Sequence, residues 1–431
     1  MNQHRQHRPS RYRWAIFAVL ALAYLFVYFH RLSLSVVADD LVKAFNTSAG
    51  TMGLLGSIYF YCYAAMQLPA GLLSDSIGPR KTVTTFLLIA SIGSIVFGLA
   101  PNIKIAFLGR ILVGFGVSMV FIPTMKILSQ WFRKQEFASM AGILTAVGGA
   151  GVMAGTWLLA KMTVLVGWRI SFELIGMFTL VLMVLAWAIV RDKPQDKGWA
   201  PITAENGNPA PVVGQTDTRA SLLKGLQSVF TEKYFWPVAI WFFFDCGIFF
   251  GFGGLWAGPY LMHVYGMTHE QMGAILSMIA WGMIIGSPFL GYLSDKVFKS
   301  RKKPFIICSG TLTLVMLLFY LVPAGFSRPV LYLLFFLFSV CSSAIVIMGF
   351  TTAKELFPVN IAGTSVGAVN LFPFAGGACF MPLLGKVLDF YPKTAAGNYA
   401  VEGYTTLLLV LLIASVGALV CTFMMKETFQ N

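Results

Sequence analysis

Long apolar runs separated by short polar segments extend along the whole chain. A helix that crosses a bilayer about 30 Å thick needs about 20 predominantly apolar residues. The sequence contains twelve runs of this kind, which we number as spans 1 to 12. They lie near 14–37, 50–73, 82–100, 105–129, 138–160, 168–190, 234–260, 269–293, 304–323, 329–353, 360–386 and 403–425. The pattern predicts an all-α membrane protein with twelve transmembrane helices.

One connection between spans is much longer than the others. Residues 193–230 carry charges, Asn, Pro and Gly, a composition typical of a flexible linker. The linker separates six spans in 1–192 from six spans in 231–431. A loop motif occurs once in each half: GLLSDSIGPRK begins at Gly71 after span 2, and GYLSDKVFKSRKK begins at Gly291 after span 8. The repeat predicts two pseudo-symmetric six-helix bundles joined by a cytoplasmic linker.

Composition and charge support a membrane protein and set its orientation. Apolar residues make up 57% of the chain and charged residues 11%, which leaves too little polar surface for a soluble globule. A net charge of +14 could indicate nucleic acid, but most of the Lys and Arg lie in segments predicted to be cytoplasmic. This is the positive-inside pattern. We therefore expect a multi-pass protein of the inner membrane, with cytoplasmic termini, lipid contacts and no nucleic-acid partner.

Several classes of site are not expected. The six cysteines lie in apolar runs without CxxC spacing, so they indicate neither a disulfide framework nor a metal site. The sequence contains no GxxxxGK[ST] phosphate loop, which argues against an ATP-driven pump. We therefore predict no enzyme activity, no catalytic residue and no cofactor, with a proton gradient as the energy source.

Arg31 lies deep in span 1. An arginine at such a depth costs about 2.5–3.5 kcal/mol on insertion scales, so it normally serves a function. Its guanidinium can hold a carboxylate with two parallel hydrogen bonds. We predict that Arg31 anchors an anionic substrate, with Tyr28, Tyr59 and Tyr63 as hydroxyl donors. The alternatives are a structural or snorkelling arginine and tyrosines that only pack between helices.

Asp245 is the acidic residue that lies deep inside a span, in span 7. A carboxyl removed from water favours its neutral form, so Asp245 is a candidate for proton coupling. The alternative is a permanent salt bridge to a basic residue of the other half. Trp256, Tyr260 and Asn370 are further candidates for the pocket wall. The sequence also predicts a helix broken by Gly and Pro in GGLWAGPYL of span 7, and a kink near Asn370 and Pro373 of span 11.

These features together resemble the major facilitator superfamily. The resemblance covers essentially the whole chain and rests on the six-plus-six spans, the two loop motifs, a glycine-rich span 5, the pair Trp168-Arg169, and GRILVGFG from Gly109 in span 4. It implies two domains that rock about a midplane cavity, as secondary transporters do. Arg110 of the span 4 motif matches an arginine that the family ties to the domain core and sometimes to proton movement. Lys126, near the inner end of span 4, is a further coupling candidate.

The two loop motifs supply candidates for a cytoplasmic gate. We expect their charged residues to form ionic latches between helices, which control the rate of conformational change and leave substrate identity to other residues. The predicted gate residues are Asp75, Arg80, Lys81, Asp295, Arg301 and Lys302.

Within the superfamily, YFHRLSLSV of span 1 and PYLMHVYGM of span 7 are similar to the anion:cation symporters and the organophosphate antiporters. Those antiporters have a basic residue in helix 7, where this chain has Asp245. The resemblance therefore favours import of a small organic anion or zwitterion, such as a carboxylate, sugar acid, amino acid or carboxylate siderophore. Together with Asp245 it predicts proton symport by a monomer. Two alternatives stay open: a drug or metabolite exporter working by proton antiport, and a solute sensor that transports nothing.

Overall fold

A computed structural model describes residues 9–199, 218–395 and 397–429. Regular structure in this part of the chain is helical, apart from an isolated bridge between Lys393 and Tyr399. The helices before the linker are Pro9–Leu32 (α1), Leu34–Phe45 (α2), Ala49–Ala65 (α3), Gln67–Ser76 (α4), Pro79–Gly98 (α5), Ile103–Ser118 (α6), Phe121–Trp131 (α7), Lys134–Met153 (α8) and Leu159–Ile189 (α9). The all-helical class predicted from the apolar runs is confirmed.

The described residues after the predicted linker boundary continue the same architecture. These helices are Phe235–Ile248 (α11), Ala257–Tyr265 (α12), His269–Tyr292 (α13), Lys302–Leu321 (α14), Arg328–Ser339 (α15), Val346–Glu355 (α16), Val359–Val369 (α17), Leu371–Asp389 (α18) and Val401–Met424 (α19). They are preceded by Thr218–Thr231 (α10), which falls largely inside the predicted linker. The described part of the linker is therefore partly helical, while residues 200–217 lie outside the described residues.

Ten helical stretches of the described chain are long and apolar enough to cross a membrane. One of them, Ser139–Ile189, contains spans 5 and 6, which are joined at Gly167 with φ 79°. Span 2 is divided at Met66 into α3 and α4, so neither piece reaches the length of a span by itself. With these two adjustments, the twelve predicted spans are all present as helices.

The spans differ in whether their helix is continuous. Spans 3, 6, 9 and 12 are uninterrupted, and they carry exposed large apolar side chains such as Leu314, Ile413 and Val181. Seven of the other eight spans contain a turn, a kink or a wide π-helical segment, at Ser33, Met66, Met119–Val120, Ala154–Leu158, Phe249–Trp256, Val340–Ala344 and Asn370. Span 8 ends at such a segment, Leu293–Phe298. Irregular backbone at membrane depth is tolerated where protein or a water-filled cavity, not lipid, surrounds it. The interrupted spans are therefore the ones suited to line a cavity.

In span 7 the predicted break is present as a change of helix type, not as a gap in the helix. The chain stays helical from Phe235 to Tyr265, first as α11, then as a π-helical segment over Phe249–Trp256, and then as α12. Its glycines permit close packing instead: a Cβ at Gly258 would lie 1.6 Å from the carbonyl oxygen of Ser35. The backbone N–H of Gly258 donates to Ser35 Oγ at 3.0 Å, which fixes this contact. In span 11 the predicted kink is confirmed, because α17 ends and α18 begins at Asn370.

The chain divides by internal contacts into two compact units that do not follow the two sequence halves. The first unit consists of Met1–His30, Cys62–Gly151 and Val166–Gln215. The second consists of Arg31–Tyr61, Val152–Leu165 and Thr216–Asn431. Parts of spans 1, 2 and 5 thus belong with the C-terminal half. The domain boundaries read from the linker stay a prediction.

Candidate substrate and coupling site

Arg31 lies at the end of α1, just before the turn at Ser33, and belongs to the second unit. The residue is 8% exposed. Its guanidinium carbon lies 5.5 Å from the centroid of the Phe374 ring on α18. That ring is one of an aromatic group, with Phe60 at 6.4 Å, and Phe60 in turn contacts Phe250 at 4.6 Å. A cation over an aromatic face is stabilised electrostatically, so the aromatic group helps to retain a charged arginine inside the protein.

Asp245 lies on α11 of the same unit and is fully buried. Neither of its carboxyl oxygens has a hydrogen-bond partner among the described residues. The thiols of Cys308 and Cys341 lie within electrostatic reach of the carboxyl. Burying a charge without hydrogen bonds or a counter-ion is strongly unfavourable. The surroundings of Asp245 therefore provide no donor that would stabilise a fixed negative charge.

Arg31 and Asp245 belong to the same unit and are not joined to each other. Cys246 lies within electrostatic reach of both side chains. Because the carboxyl oxygens of Asp245 accept no hydrogen bond, Asp245 is not directly bonded to Arg31. A permanent salt bridge at Asp245, the structural alternative raised from the sequence, does not occur among the described residues. A site of this kind can bind an anion at the arginine and a proton at the carboxyl.

The predicted tyrosines divide between the two units. Tyr59 is fully buried in the second unit and packs on Phe60 with ring centroids 5.2 Å apart. Tyr28 and Tyr63 belong to the first unit, where Tyr28 packs on Tyr24 at 5.4 Å. Their roles as hydroxyl donors to a substrate stay predictions.

Trp256 and Tyr260 are fully buried on span 7, and their polar atoms bond to backbone. The Trp256 indole nitrogen donates to the carbonyl of Met381 at 3.1 Å, and the Tyr260 hydroxyl donates to the carbonyl of Pro323. These bonds fasten span 7 to its neighbours. Asn370, at the kink of span 11, is half-buried. Substrate binding by these three residues stays a prediction.

Arg110 and Lys126 make structural contacts inside the first unit. Both terminal nitrogens of the buried Arg110 donate to the backbone carbonyl of His30 at 3.4 Å, which ties α6 to α1. Lys126 Nζ lies 2.6 Å from Asp75 Oδ1 and 2.9 Å from the carbonyl oxygen of Ser74, which ties α7 to α4. Lys126 thus joins a predicted gate residue. The predicted coupling roles of Arg110 and Lys126 are separate from these contacts and stay predictions.

The charged residues of the first loop motif bind neighbouring elements of the first unit. The Arg80 guanidinium donates to the carbonyl of Trp187 at the end of span 6. The Arg80 backbone N–H donates to Asp192 Oδ1 at 2.6 Å. Lys81 is exposed. Asp192 was missed from the sequence, although its position directly after span 6 and close to a basic loop was a usable signal.

The second loop motif forms a denser network. Arg301 pairs with Asp295 of its own motif and with Glu355 at the end of α16, 3.1 Å away. Glu427, which follows α19, accepts the backbone N–H groups of Arg301 at 2.8 Å and Lys302 at 3.3 Å. Burial raises the pKa of Glu427, but hydrogen bonds from Ser300 and the backbone outweigh it, so the pKa is lowered from 4.5. Glu355 and Glu427 were missed from the sequence, because nothing local links them to Arg301.

The sequence also missed an acid–histidine cluster in the second unit, formed around Asp39 of α2. His263 Nε2 lies 2.9 Å from Asp39 Oδ1, and His263 Nδ1 lies 2.8 Å from the Tyr404 hydroxyl. Lys43 Nζ lies 2.7 Å from Asp39 Oδ2. Burial raises the pKa of Asp39, but hydrogen bonds from His263 and Lys43 dominate and lower it to about 2. Asp39 therefore stays ionised and holds α2 to α12.

Two further contacts extend this connection. His269 Nε2 lies 3.1 Å from Asp40 Oδ2. Asp389, at the end of α18, accepts the backbone N–H groups of Ala49 and Gly50 at 2.8 and 2.7 Å, the orphan donors at the start of α3. The sequence signal that could have indicated these contacts was the adjacent pair Asp39 and Asp40, together with His263 and His269, to which no role had been given. In the part of the chain that the structure describes, no three His, Cys, Asp or Glu side chains are arranged to hold a metal ion.

Comparison with known proteins decides the family. The model of the Major Facilitator Superfamily matches residues 20–382, which is most of the chain. The chain belongs to the major facilitator superfamily. This confirms the resemblance read from the loop motifs and from span 4, and it identifies the chain as a multi-pass membrane transporter of this type.

Two curated transporters from Bacillus subtilis (strain 168) are similar along most of the sequence. The glycerol-3-phosphate transporter is 24% identical over 88% of this chain and 87% of its own length. The hexuronate transporter is 26% identical over 90% of this chain and 84% of its own length. The fold is similar to that of solved transporter structures. A crystal structure of a bacterial homologue of the human lysosomal transporter Spinster has a TM-score of 0.75 at 16% identity, covering 97% of this chain and 98% of that one.

Proposed function

We propose that this superfamily member carries a small organic anion, with a carboxylate as its charged group, into the cell together with a proton. It would act as a monomer in the inner membrane, with both termini in the cytoplasm. The observation that carries the proposal is the pair in the second unit: a nearly buried Arg31 beside an aromatic group, and a fully buried Asp245 whose oxygens have no hydrogen-bond partner among the described residues. One side chain suits an anion and the other suits a proton.

The charge of the site favours a carboxylate over a phosphate. Among the described residues of the second unit, Arg31 is the one Lys or Arg that is buried. A carboxylate carries one negative charge, which one guanidinium matches with two parallel hydrogen bonds. A phosphate monoester carries about −1.5 to −2 at pH 7 and would need further basic groups. Of the two B. subtilis relatives, the hexuronate transporter is named for a sugar acid and the other for a phosphate ester, so sugar acids are the first substrates to test.

Proton coupling follows from the position of Asp245. When the substrate carboxylate binds at Arg31, it compensates the arginine charge. Protonation of Asp245 then removes the remaining buried charge, which lowers the free-energy barrier to moving the loaded site across the membrane. With only one of the two partners bound, the site would carry an uncompensated net charge. The interrupted spans around it, including the π-helical segment Phe249–Trp256, supply backbone that can change conformation.

The anchor is tested by uptake of glucuronate and galacturonate into proteoliposomes by the parent, Arg31→Ala and Arg31→Lys. We expect the alanine variant to lose roughly 10- to 100-fold in apparent affinity, as a charge-assisted bidentate contact is lost. The lysine variant should recover part of it, because it keeps the charge but not the fork geometry. Equal uptake by all three proteins would contradict the proposal. Movement of lipophilic cations alone, unaffected at Arg31, would favour an exporter.

The coupling residue is tested with Asp245→Asn, which keeps the shape of the side chain and cannot release a proton. We expect counterflow of a pre-loaded sugar acid to continue, while accumulation driven by an imposed pH gradient is lost. Cys246→Ser is a suitable control, because it changes a neighbouring buried side chain without changing a carboxyl. If Asp245→Asn still accumulates substrate in response to the pH gradient, Asp245 is not the coupling residue.

A further inference from the structure

A cavity of about 270 Å³ lies in the second unit, away from Arg31 and Asp245. It is open on one side and is lined by three exposed charged residues: Lys161 directly after span 5, Glu270 in the first turn of α13, and Arg328 at the first residue of α15. The wall is completed by Trp157, Gln271, Ala274, Ile275 and Tyr332. Sites that take drug-sized ligands have volumes of about 300–1,000 Å³. A cavity of about 270 Å³ is smaller than these sites and suits a small polar group.

Charged groups of both signs line this cavity without neutralising each other. Lys161, Glu270 and Arg328 make no ion pair within 4.0 Å among the residues that the structure describes. Lys161 Nζ instead lies 4.2 Å from the centroid of the Trp157 ring, which orients the ammonium group at the cavity wall. Two cations and one carboxylate around one small volume match a ligand that itself carries both signs, with its anionic part toward Lys161 and Arg328.

The surroundings of the cavity indicate where such a ligand comes from. Trp157 is 39% exposed, and Leu158 and Leu333, which follow the lining residues Trp157 and Tyr332 in the sequence, are 45% and 56% exposed. Exposed apolar side chains on membrane-spanning helices contact lipid chains, and Trp and Tyr are enriched where the hydrocarbon meets the headgroups. Glu270 and Arg328 lie at the ends of two candidate spans, His269–Phe298 and Arg328–Glu355. A ligand here would have its polar part in the cavity and its apolar part along these helices.

We propose that this cavity binds the headgroup of a zwitterionic phospholipid of the phosphoethanolamine type. The phosphate is held by Arg328 and Lys161, and the ammonium group is held by Glu270. A guanidinium matches phosphate oxygens bidentately, which makes Arg328 the stronger of the two phosphate contacts.

The bound lipid would connect two segments that are distant in the sequence. Trp157 and Lys161 come from the N-terminal half, whereas α13 and α15 belong to the C-terminal half. Their backbones are close beside the cavity, because a Cβ at Gly273 would lie 2.4 Å from the Ala160 Cβ. The lipid thus joins Val152–Leu165 to the rest of the second unit and stabilises it. This inference does not depend on the proposed substrate.

The experiment uses the full-length, delipidated protein in detergent. Native mass spectrometry and melting temperature are recorded with added phosphatidylethanolamine, phosphatidylglycerol or soluble phosphoethanolamine. We expect phosphatidylethanolamine to bind and raise the melting temperature, and Lys161→Ala/Arg328→Ala to weaken its binding roughly tenfold or more. Glu270→Gln should weaken phosphatidylethanolamine selectively and leave phosphatidylglycerol unchanged. Lys104→Ala, an exposed lysine in the first turn of α6 and outside the cavity, should bind like the parent.

Three results would overturn the proposal. Equal phosphatidylethanolamine binding by the parent and the double variant would show that the lipid does not bind at this cavity. Preference for phosphatidylglycerol, unaffected by Glu270→Gln, would show an anionic-lipid site and reject the role of the ammonium group. Binding of soluble phosphoethanolamine as tight as that of the lipid would show a site for a free solute. Size-exclusion profiles matched to the parent confirm that each variant is folded.

Discussion

The two copies of the loop motif carry similar residues and use them differently. In the first copy, Asp75 binds Lys126 of span 4, and Arg80 binds the carbonyl of Trp187. In the second, Arg301 turns back to its own Asp295 and also reaches Glu355. The same sequence signal therefore gives two separate contacts in one half of the chain and one joined network in the other.

The backbone explains the difference. In the first copy, Gly78 has φ 92° and Pro79 begins α5, so Arg80 lies in the first turn of a new helix and extends toward span 6. In the second copy, the π-helical segment Leu293–Phe298 and Lys299 with φ 44° bring Arg301 back beside Asp295. The local turn decides which acid each arginine meets.

One feature is shared by the two copies. A carboxylate from the segment that follows the sixth span of each half accepts backbone N–H groups at the start of the helix after the motif: Asp192 for Arg80, and Glu427 for Arg301 and Lys302. A helix start has unpaired N–H donors and a partial positive charge, so an acid at this point stabilises it. The capping acid thus follows the pseudo-symmetry of the fold, and the arginine contacts do not.

The comparison predicts that the second network contributes more stability than the first. Replacing Arg301 by Ala removes its bonds to Asp295, Glu355 and Ser294 Oγ together. We expect a loss of about 2 kcal/mol in unfolding free energy, allowing for partial exposure, against about 1 kcal/mol for Arg80→Ala. At roughly 2–4 °C per kcal/mol, the two variants should differ measurably in melting temperature. Equal shifts would show that the denser network adds nothing.

The shared capping acids give the next effect. Removing an acidic helix cap costs about 0.5–2 kcal/mol. We expect Asp192→Ala and Glu427→Ala to lower the melting temperature by similar amounts. The two arginine variants, in contrast, are expected to lower it by different amounts. Asp196→Ala is a control for Asp192, because Asp196 caps a single short turn, Pro194–Lys197. A large effect at one cap and none at the other would contradict the proposed equivalence.

The second network should also respond to acid. The pKa of Glu427 is lowered from 4.5, so its contribution is complete above about pH 4.5 and is lost as the pH falls below that value toward the lowered pKa. We expect the parent protein to lose melting temperature over this range, and Glu427→Gln to lose less. The measurement is a melting series between pH 7 and pH 3 for both proteins. Parallel curves would exclude Glu427 as the titrating group.

The smallest effect is expected at Lys126 and Asp75. The Asp75 side chain is 73% exposed and Lys126 is 39% exposed, and exposed pairs contribute about 0–1 kcal/mol. A double-mutant cycle with Lys126→Met and Asp75→Asn measures the coupling between them. If Lys126 also takes part in proton coupling, Lys126→Met will shift the pH profile of transport while stability hardly changes. An unchanged pH profile would leave Lys126 with a structural role alone.

The contrast between the motifs shows how far sequence reasoning extends. Basic and acidic residues after spans 2 and 8 were sufficient to predict charged contacts at those loops. Their partners Glu355 and Glu427 were not predictable, because both come from parts of the chain that are distant in the sequence from Arg301. The pairs Asp39–His263 and Asp40–His269 were missed for the same reason.

The sequence by itself determined the twelve helices and the family, because a lipid-spanning helix satisfies its own backbone hydrogen bonds and needs only a long enough apolar run. It also placed an arginine and an aspartate at membrane depth. Only the tertiary structure decided which spans are interrupted, that Arg31 lies against Phe374, and that the Asp245 carboxyl has no hydrogen-bond donor among the described residues. These features depend on the side chains that neighbouring helices bring to each point, and helix packing, not local periodicity, selects those neighbours.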